Sequence, residues 1–290
     1  MIWLTGNRGM LGTELSLLLE KTGLPFIGTD REVDITDSAA LAGFAEKQPF
    51  TWIVNCAAYT AVDKAEGDRE NCRLLNTVGP GNIAYVAREK GARMVHISTD
   101  YVFDGGGDSP YTEEDATGPA GVYGLTKRDG ETRVLEENPE SCIIRTSWLY
   151  GKHGPNFVHT MLRLMNERDE VKVVNDQRGS PTWARDLASA VIAIIGAVEN
   201  GKTVPFGIYH YANEGNITWF DFANEIYRQG RELGSVTKEC GVKPCASAEY
   251  PTGAKRPAYS VLDTTKIKRV LGVKIPVWDE SLRRFLVEHA

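Results

Sequence analysis

Apolar positions in the first half of the chain fall into short solid runs separated by longer stretches where they recur every three or four residues. Ile2–Thr5, Pro25–Thr29, Trp52–Cys56, Arg93–Ser98 and Cys142–Thr146 are too short for helices and apolar almost throughout, the pattern of strands buried on both faces of a parallel sheet. Met10–Lys21, Ser38–Lys47, Asp68–Lys90 and Tyr123–Glu137 carry helical periodicity between them. This alternation predicts βαβ units and an α/β fold built on a doubly wound parallel sheet. After Trp148 the rhythm loosens: Asn156–Arg168, Thr182–Val198 and Trp219–Leu233 read as helices, the last opened by Thr218 as a cap. Val171–Asn175 and Gly207–Ala212 read as strands, and Lys243–Pro257, rich in Pro, Ser and Ala, as a loop long enough to face a ligand. Two lobes are expected: residues 1–147 with part of 176–205, and a smaller, partly interleaved α/β lobe from 148–175 and 206–290.

Composition narrows the class. A hydrophobic share of 42% and a charged share of 25% over 290 residues are ordinary for a globular chain. The net charge of −6 supplies no basic stripe to replace phosphate counterions, so nucleic-acid binding is not expected. The start of the chain lacks the basic residues and long apolar run of a secretion signal. The longest apolar helix, Leu187–Val198, is too short to span a bilayer, which needs roughly 18 residues or more. Five cysteines, an odd number without CxxC spacing, suit reduced core thiols rather than disulfides or zinc. A cytoplasmic protein without membrane contact is expected.

Chemistry enters at Gly6-Asn7-Arg8-Gly9-Met10-Leu11-Gly12, which follows a predicted strand and opens a predicted helix. Glycines here permit a tight turn and close backbone approach to a pyrophosphate, and the helix N-terminus offers N–H groups to the anion. The first lobe is therefore expected to be a Rossmann-type dinucleotide-binding domain, with Gly6, Gly9, Met10, Leu11 and Gly12 against the cofactor. Asp30, at the end of the second strand, stands where an acid reads a ribose, while the adjacent Arg31 suits a 2′-phosphate, so both NADH and NADPH stay open. Tyr123 and Lys127 are four residues apart and share a helix face. A cation near a phenol lowers its pKa and makes it a usable acid. Thr99, directly after the strand Arg93–Ser98, can donate to a carbonyl as charge develops on it.

Taken together, Val95-His96-Ile97-Ser98-Thr99-Asp100-Tyr101-Val102-Phe103-Asp104-Gly105, Val122-Tyr123-Gly124-Leu125-Thr126-Lys127 and Arg145-Thr146-Ser147-Trp148-Leu149-Tyr150-Gly151 resemble the dTDP-4-dehydrorhamnose reductases, extended members of the short-chain dehydrogenase/reductase superfamily. So do the run from Asn55 to Glu66, the run from Asn175 to Thr182, and Lys255-Arg256-Pro257. The resemblance implies reduction of the C4 ketone of a dTDP-linked 4-keto-6-deoxy sugar with NADPH or NADH, by a monomer or homodimer. It implies Thr99, Tyr123 and Lys127 as the catalytic trio. It places Asp100 and Trp148 against the sugar, Arg256 against the diphosphate, Ala57, Ala58 and Tyr59 along the cofactor, and Asp34 and Ile35 at its adenine. A related dehydratase is disfavoured, because the position after Thr99-Asp100 holds Tyr101 where those enzymes carry a glutamate. A C4 epimerase, or a non-catalytic regulatory subunit like that of methionine adenosyltransferase, are the remaining alternatives. Some reductases of this type hold a divalent cation with acids at a dimer interface. Here Glu14 matches one such position but Arg185 stands at another, with Asp186 beside it, so no metal is expected.

Overall fold

The computed structural model describes residues 1–289. The first half runs β1 (Ile2–Thr5), α1 (Met10–Thr22), β2 (Phe26–Thr29), α2 (Ser38–Glu46), β3 (Trp52–Asn55), α3 (Val62–Ala65), α4 (Arg69–Arg73), α5 (Gly79–Glu89), β4 (Arg93–Thr99), α6 (Val122–Glu137) and β5 (Ser141–Thr146). The second half runs β6 (Leu149–Tyr150), α7 (Phe157–Glu167), β7 (Glu170–Val174), β8 (Arg178–Gly179), β9 (Thr182–Trp183), α8 (Ala184–Glu199), β10 (Gly207–His210), β11 (Ile217–Thr218), α9 (Trp219–Leu233), β12 (Gly241–Cys245), α10 (Thr265–Leu271) and α11 (Trp278–His289).

Six strands form one parallel sheet in the order β2-β1-β3-β4-β5-β10. Strand alternation divides the core in two. Ile2, Leu4, Trp52, Val54, Val95, Cys142 and Ile144 pack on one face with Leu11, Leu15 and Leu19 of α1 and Leu187, Val191 and Ile194 of α8. Trp3, Ile53, Met94 and Ile143 pack on the other with Leu41 of α2, Ile83 and Ala87 of α5 and Val134 of α6. Solid apolar strands are thus explained by helices on both faces. A third cluster, including Tyr150, Val158, Met165, Phe222, Ile226 and Phe285, holds α7, α9 and α11 together with β6.

Three local expectations change. Asp68–Lys90 is not one regular helix: a π-helical turn, Leu74–Val78, separates α4 from α5. Pro80 has no N–H to offer the carbonyl of Asn76, four residues back, and Gly130 of α6 packs against that same carbonyl, where a Cβ would lie 2.0 Å away. Thr182 and Trp183 pair with β6 before the helix begins at Ala184. Lys243–Cys245, expected in a loop, complete β12 in register with β7. Pro244 is tolerated there because β12 lies at the edge of a two-stranded sheet. The boundary drawn at residue 206 is also crossed: β10 hydrogen-bonds to β5 in the main sheet, and Ile267 and Ile275 bury against α8 in the first core, because their apolar faces complete that layer.

Candidate active site

The glycine turn lies at the point where the sheet order reverses. From β1 the chain passes outward to β2 and then returns to β3 on the other side, so the C-terminal ends of β1 and β3 bound a crevice. Gly6 (φ 69°) and Ala57 meet there: a Cβ on Gly6 would sit 2.6 Å from the Ala57 nitrogen. A Cβ on Gly12 would sit 2.1 Å from the Gly6 carbonyl, so glycine is required for α1 to start this close to the strand end. Gly9, at the N-cap of α1, is exposed. Met10 is half-buried and Leu11 belongs to the core. This backbone cradle fits a dinucleotide pyrophosphate.

Around it, Asp30 accepts from the Arg8 backbone N–H at 3.2 Å and from the Arg31 N–H at 2.9 Å, tying the end of β2 to the glycine turn. Arg31 is exposed. Asp34 closes a turn by accepting from Thr36, and Ile35 is buried against Gly79 at the start of α5. Ala57, Ala58 and Tyr59 line the segment after β3, half-buried. Two asparagines that the residue pattern did not single out fix that segment. The Asn55 carbonyl oxygen accepts from Thr5 Oγ1 at 2.8 Å and from the Ala57 N–H at 3.0 Å, while its amide meets His96 Nδ1 at 3.0 Å. Asn76, on the π-helical turn, accepts from the Tyr59 N–H at 2.8 Å and donates to the Tyr59 carbonyl at 3.1 Å. Each is a polar residue set among apolar ones, and that is the signal that marks them in the sequence.

At the C-terminal end of β4, Thr99 donates to the Asp100 carboxylate at 2.9 Å. Burial pushes Asp100 up to about 6, against the pull of the Ser260 and Thr99 hydroxyls. Tyr123 stands beside this pair. Burial raises its phenol, and the largest effect in the opposite direction is a hydrogen bond with Thr99. Sequence reasoning gives the acidifying role to Lys127; in the structure Thr99 makes the largest such contribution. The Lys127 ammonium donates to the Ile97 carbonyl at 2.6 Å, which leaves two of its three hydrogens for other partners. Burial draws Lys127 down to about 8. Helix α6 is placed for this by Glu66, whose carboxylate accepts from its first N–H, that of Val122, at 2.8 Å.

Trp148 follows β5 at the same sheet edge, two residues beyond Thr146, which pairs with Thr99. It is the only non-glycine residue with positive φ among the described residues (45°), a conformation that costs of order 1 kcal/mol or more. Its indole stacks on Trp219, 3.6 Å between centroids and 9° between planes. It also lies against Gly179, where a Cβ would be 2.4 Å from Cε2. The β8–β11 ladder, pairing Gly179 with Ile217, brings those two supports together. Neither Trp219 nor Gly179 was expected as a site residue from the sequence. Arg256 donates to the Tyr101 hydroxyl at 2.9 Å and to Asp63 at 2.6 Å, so the structure ties it to the rim of the Tyr123 site.

Glu14, which matches a metal-holding position of some reductases, is buried and accepts from Arg185 Nε at 3.0 Å; the same guanidinium also pairs with Glu288. A guanidinium lodged between the two carboxylates does not fit a divalent cation there. Asp186 is engaged by Asn213, at 2.9 Å, and by the Ser281 hydroxyl. Among the described residues, no group of three or more His, Cys, Asp or Glu side chains could hold a metal ion, and no helix is long and apolar enough to cross a membrane.

The chain matches the family model described as RmlD substrate binding domain over residues 1–290. It belongs to that family. A dTDP-4-dehydrorhamnose reductase of Streptomyces griseus is 46% identical over 270 residues, covering 92% of this chain and 86% of the relative. Among solved structures, a dTDP-4-dehydrorhamnose reductase of Clostridium acetobutylicum superposes with TM-score 0.91 at 40% identity, covering 98% of both chains. The dTDP-4-dehydrorhamnose reductase of Bacillus anthracis in complex with NADP superposes with TM-score 0.91 at 37% identity, covering 99% of this chain and 98% of that one.

Proposed function

We propose that this family member reduces the C4 ketone of dTDP-4-dehydro-6-deoxy-L-mannose to dTDP-L-rhamnose in the cytoplasm, using NADPH or NADH and no divalent metal. The observation that carries this reading is the meeting of Thr99, Asp100 and Tyr123 at the sheet edge that also holds the Gly6–Ala57 crevice. The relatives named dTDP-4-dehydrorhamnose reductase, one of them crystallised with NADP, support it.

The bound nicotinamide supplies the hydride. The chain supplies the rest. Tyr123 gives its phenolic proton to the oxygen of the ketone as that oxygen becomes an alkoxide, and Thr99 turns its one hydroxyl hydrogen from Asp100 to the same oxygen. Lys127, with one hydrogen on Ile97 and two to spare, holds the cofactor ribose and favours the phenolate left behind. Trp148 offers its indole to the apolar side of the sugar, and Arg256 turns its fork toward the diphosphate.

The test is a reductase assay with dTDP-, UDP- and GDP-linked 4-keto-6-deoxy sugars, using NADPH and NADH in turn. Oxidation of cofactor with formation of a 6-deoxyhexose nucleotide is expected with the dTDP sugar. Cofactor that stays reduced while the sugar is inverted, or unchanged, would point to an epimerase or a regulatory subunit.

A further inference from the structure

Beyond Lys127 a line of buried charge runs away from the substrate side of the site. Glu131 lies one turn further along α6 and is 3% exposed; Arg145, on β5, is 2% exposed. Arg145 grips the carboxylate through Nε, at 3.0 and 3.2 Å, and through Nη2, at 2.7 Å. Its remaining Nη1 reaches His210 Nε2 at 3.4 Å, and His210 Nδ1 meets the Tyr111 carbonyl at 3.0 Å. A carbonyl only accepts, so Nδ1 carries the ring proton and Nε2 accepts from Arg145: His210 is neutral. Burial and the Arg145 charge hold it there, down to about 3.

The Glu131 carboxylate thus pairs directly with Arg145 and, from one helical turn away, bears on the second buried cation, Lys127. The other groups that bear on Lys127 bring no charge near neutral pH. The Cys56 thiol after β3 is pushed up to about 12 and that of Cys72 on α4 is raised, both by burial. His96 on β4 is held well below its ordinary value by burial and by Lys127 itself. Asp100 bears on Tyr123. Against the burial that disfavours its ammonium, the largest support Lys127 has is Glu131.

We propose that Glu131 and Arg145 act as positioning residues that jointly set the protonation of Lys127: the carboxylate is shared, and the firmness of the Arg145 grip fixes how much of its field reaches the ammonium. Removing either partner then moves Lys127 in opposite directions. Glu131→Gln takes away the support and leaves the burial of the ammonium uncompensated. Arg145→Met takes away the competitor and leaves the whole carboxylate to Lys127. The consequence for turnover rests on the role given to Lys127 above; the titration does not.

The test is an NMR titration of the whole protein labelled with ¹³C at lysine Cε, from about pH 6 to about pH 10, with the Lys127 signal assigned from Lys127→Arg. Glu131→Gln is expected to lower the Lys127 midpoint by about one pH unit or more, and Arg145→Met to raise it by about half a unit. Glu131→Asp, which keeps the charge, is expected to stay nearer the parent than Glu131→Gln. Should the single variants fold poorly, the double variant Glu131→Gln/Arg145→Met decides: its midpoint is expected below the parent, since Glu131 shares the helix with Lys127 and is the charge that bears on it. The alkaline limb of kcat/KM at saturating NADPH is expected to follow the same order, because an ammonium is needed and is lost as pH rises through the Lys127 value. Midpoints that do not move, single variants that shift the same way, or a double variant at or above the parent would overturn the proposal. Midpoints that move as expected while the alkaline limb stays fixed would uphold the charge sharing and sink the role of Lys127 in the reaction.

Discussion

The two sides of the site are built by different means. The proposed cofactor side is backbone: Gly6, Gly9 and Gly12 come within seven consecutive residues, and the crevice closes on the backbone of Ala57 at the neighbouring strand end. The proposed sugar side is made of side chains from distant segments. Trp148 is held by Trp219, 71 positions away by number, and by Gly179, which a separate two-stranded ladder presents. The first kind of site is imposed by the topology of the sheet, and any chain with this strand order has the crevice. The second depends on the packing of α7, α9 and the short strands around it, where specificity is free to change without disturbing the sheet.

That contrast can be broken most sharply at Gly12. Gly12→Ala places a Cβ about where the Gly6 carbonyl now lies, and the obstruction is backbone that cannot rotate away. NADPH affinity is expected to fall roughly 100-fold, or about 2.7 kcal/mol, by fluorescence titration, with circular dichroism confirming the fold. An unchanged Kd would mean that the turn does not hold the cofactor.

Trp219→Ala removes the stacking partner while leaving the cofactor side intact. An aromatic pair adds about 0.5–1.5 kcal/mol beyond its buried area, so the sugar KM is expected to rise up to about tenfold with NADPH affinity unmoved. A change in NADPH affinity instead would show that the two sides are not separable. At the adenosine end, NADPH and NADH are expected to work within about tenfold of each other. Arg31→Ala should weaken NADPH selectively and Asp30→Ala should weaken NADH. A preference that survives both changes would place the recognition of the ribose elsewhere.

The last effect is on stability. His210 is buried and its pKa in the fold lies below the ordinary 6.5, at about 3. The folded protein then binds fewer protons than the unfolded chain between those values, so this stabilising contribution is complete above about pH 6.5 and declines as pH falls toward 3. The slope from one such group is at most about 1.4 kcal/mol per pH unit. Urea melts at several pH values should show His210→Gln with a flatter acid slope than the parent, part of which persists through His96, also held neutral by burial. An identical slope would remove His210 from the account.

The same contrast explains what could be read from the chain. Gly6–Gly12, Thr99-Asp100 and Tyr123–Lys127 are contiguous, and their spacing alone carries the geometry of turn, strand end and helix face. The central strands of the main sheet were legible because they are buried on both faces. β12 was not, because an edge strand carrying Pro244 and exposed lysine looks like a loop until its partner β7 is known. Asn55, Asn76, Glu131 and Trp219 act through contacts that only the folded chain creates, and a list of spacings holds no record of them. Arg256 was expected at the diphosphate only from the family resemblance, and its partners in the structure, Asp63 and Tyr101, lie more than 150 positions upstream.

The central claim is that Tyr123 is the proton donor in a ketone reduction, and replacing it by phenylalanine tests that claim most directly. Tyr123→Phe removes one oxygen and leaves the ring in its edge contact with Tyr101, 5.5 Å between centroids. Steady-state turnover of the dTDP-linked keto-sugar and NADPH titration are measured on parent and variant. A loss of roughly 10²–10⁴-fold in turnover with unchanged NADPH affinity is predicted, the range for a positioned general acid. Turnover near that of the parent would contradict the account.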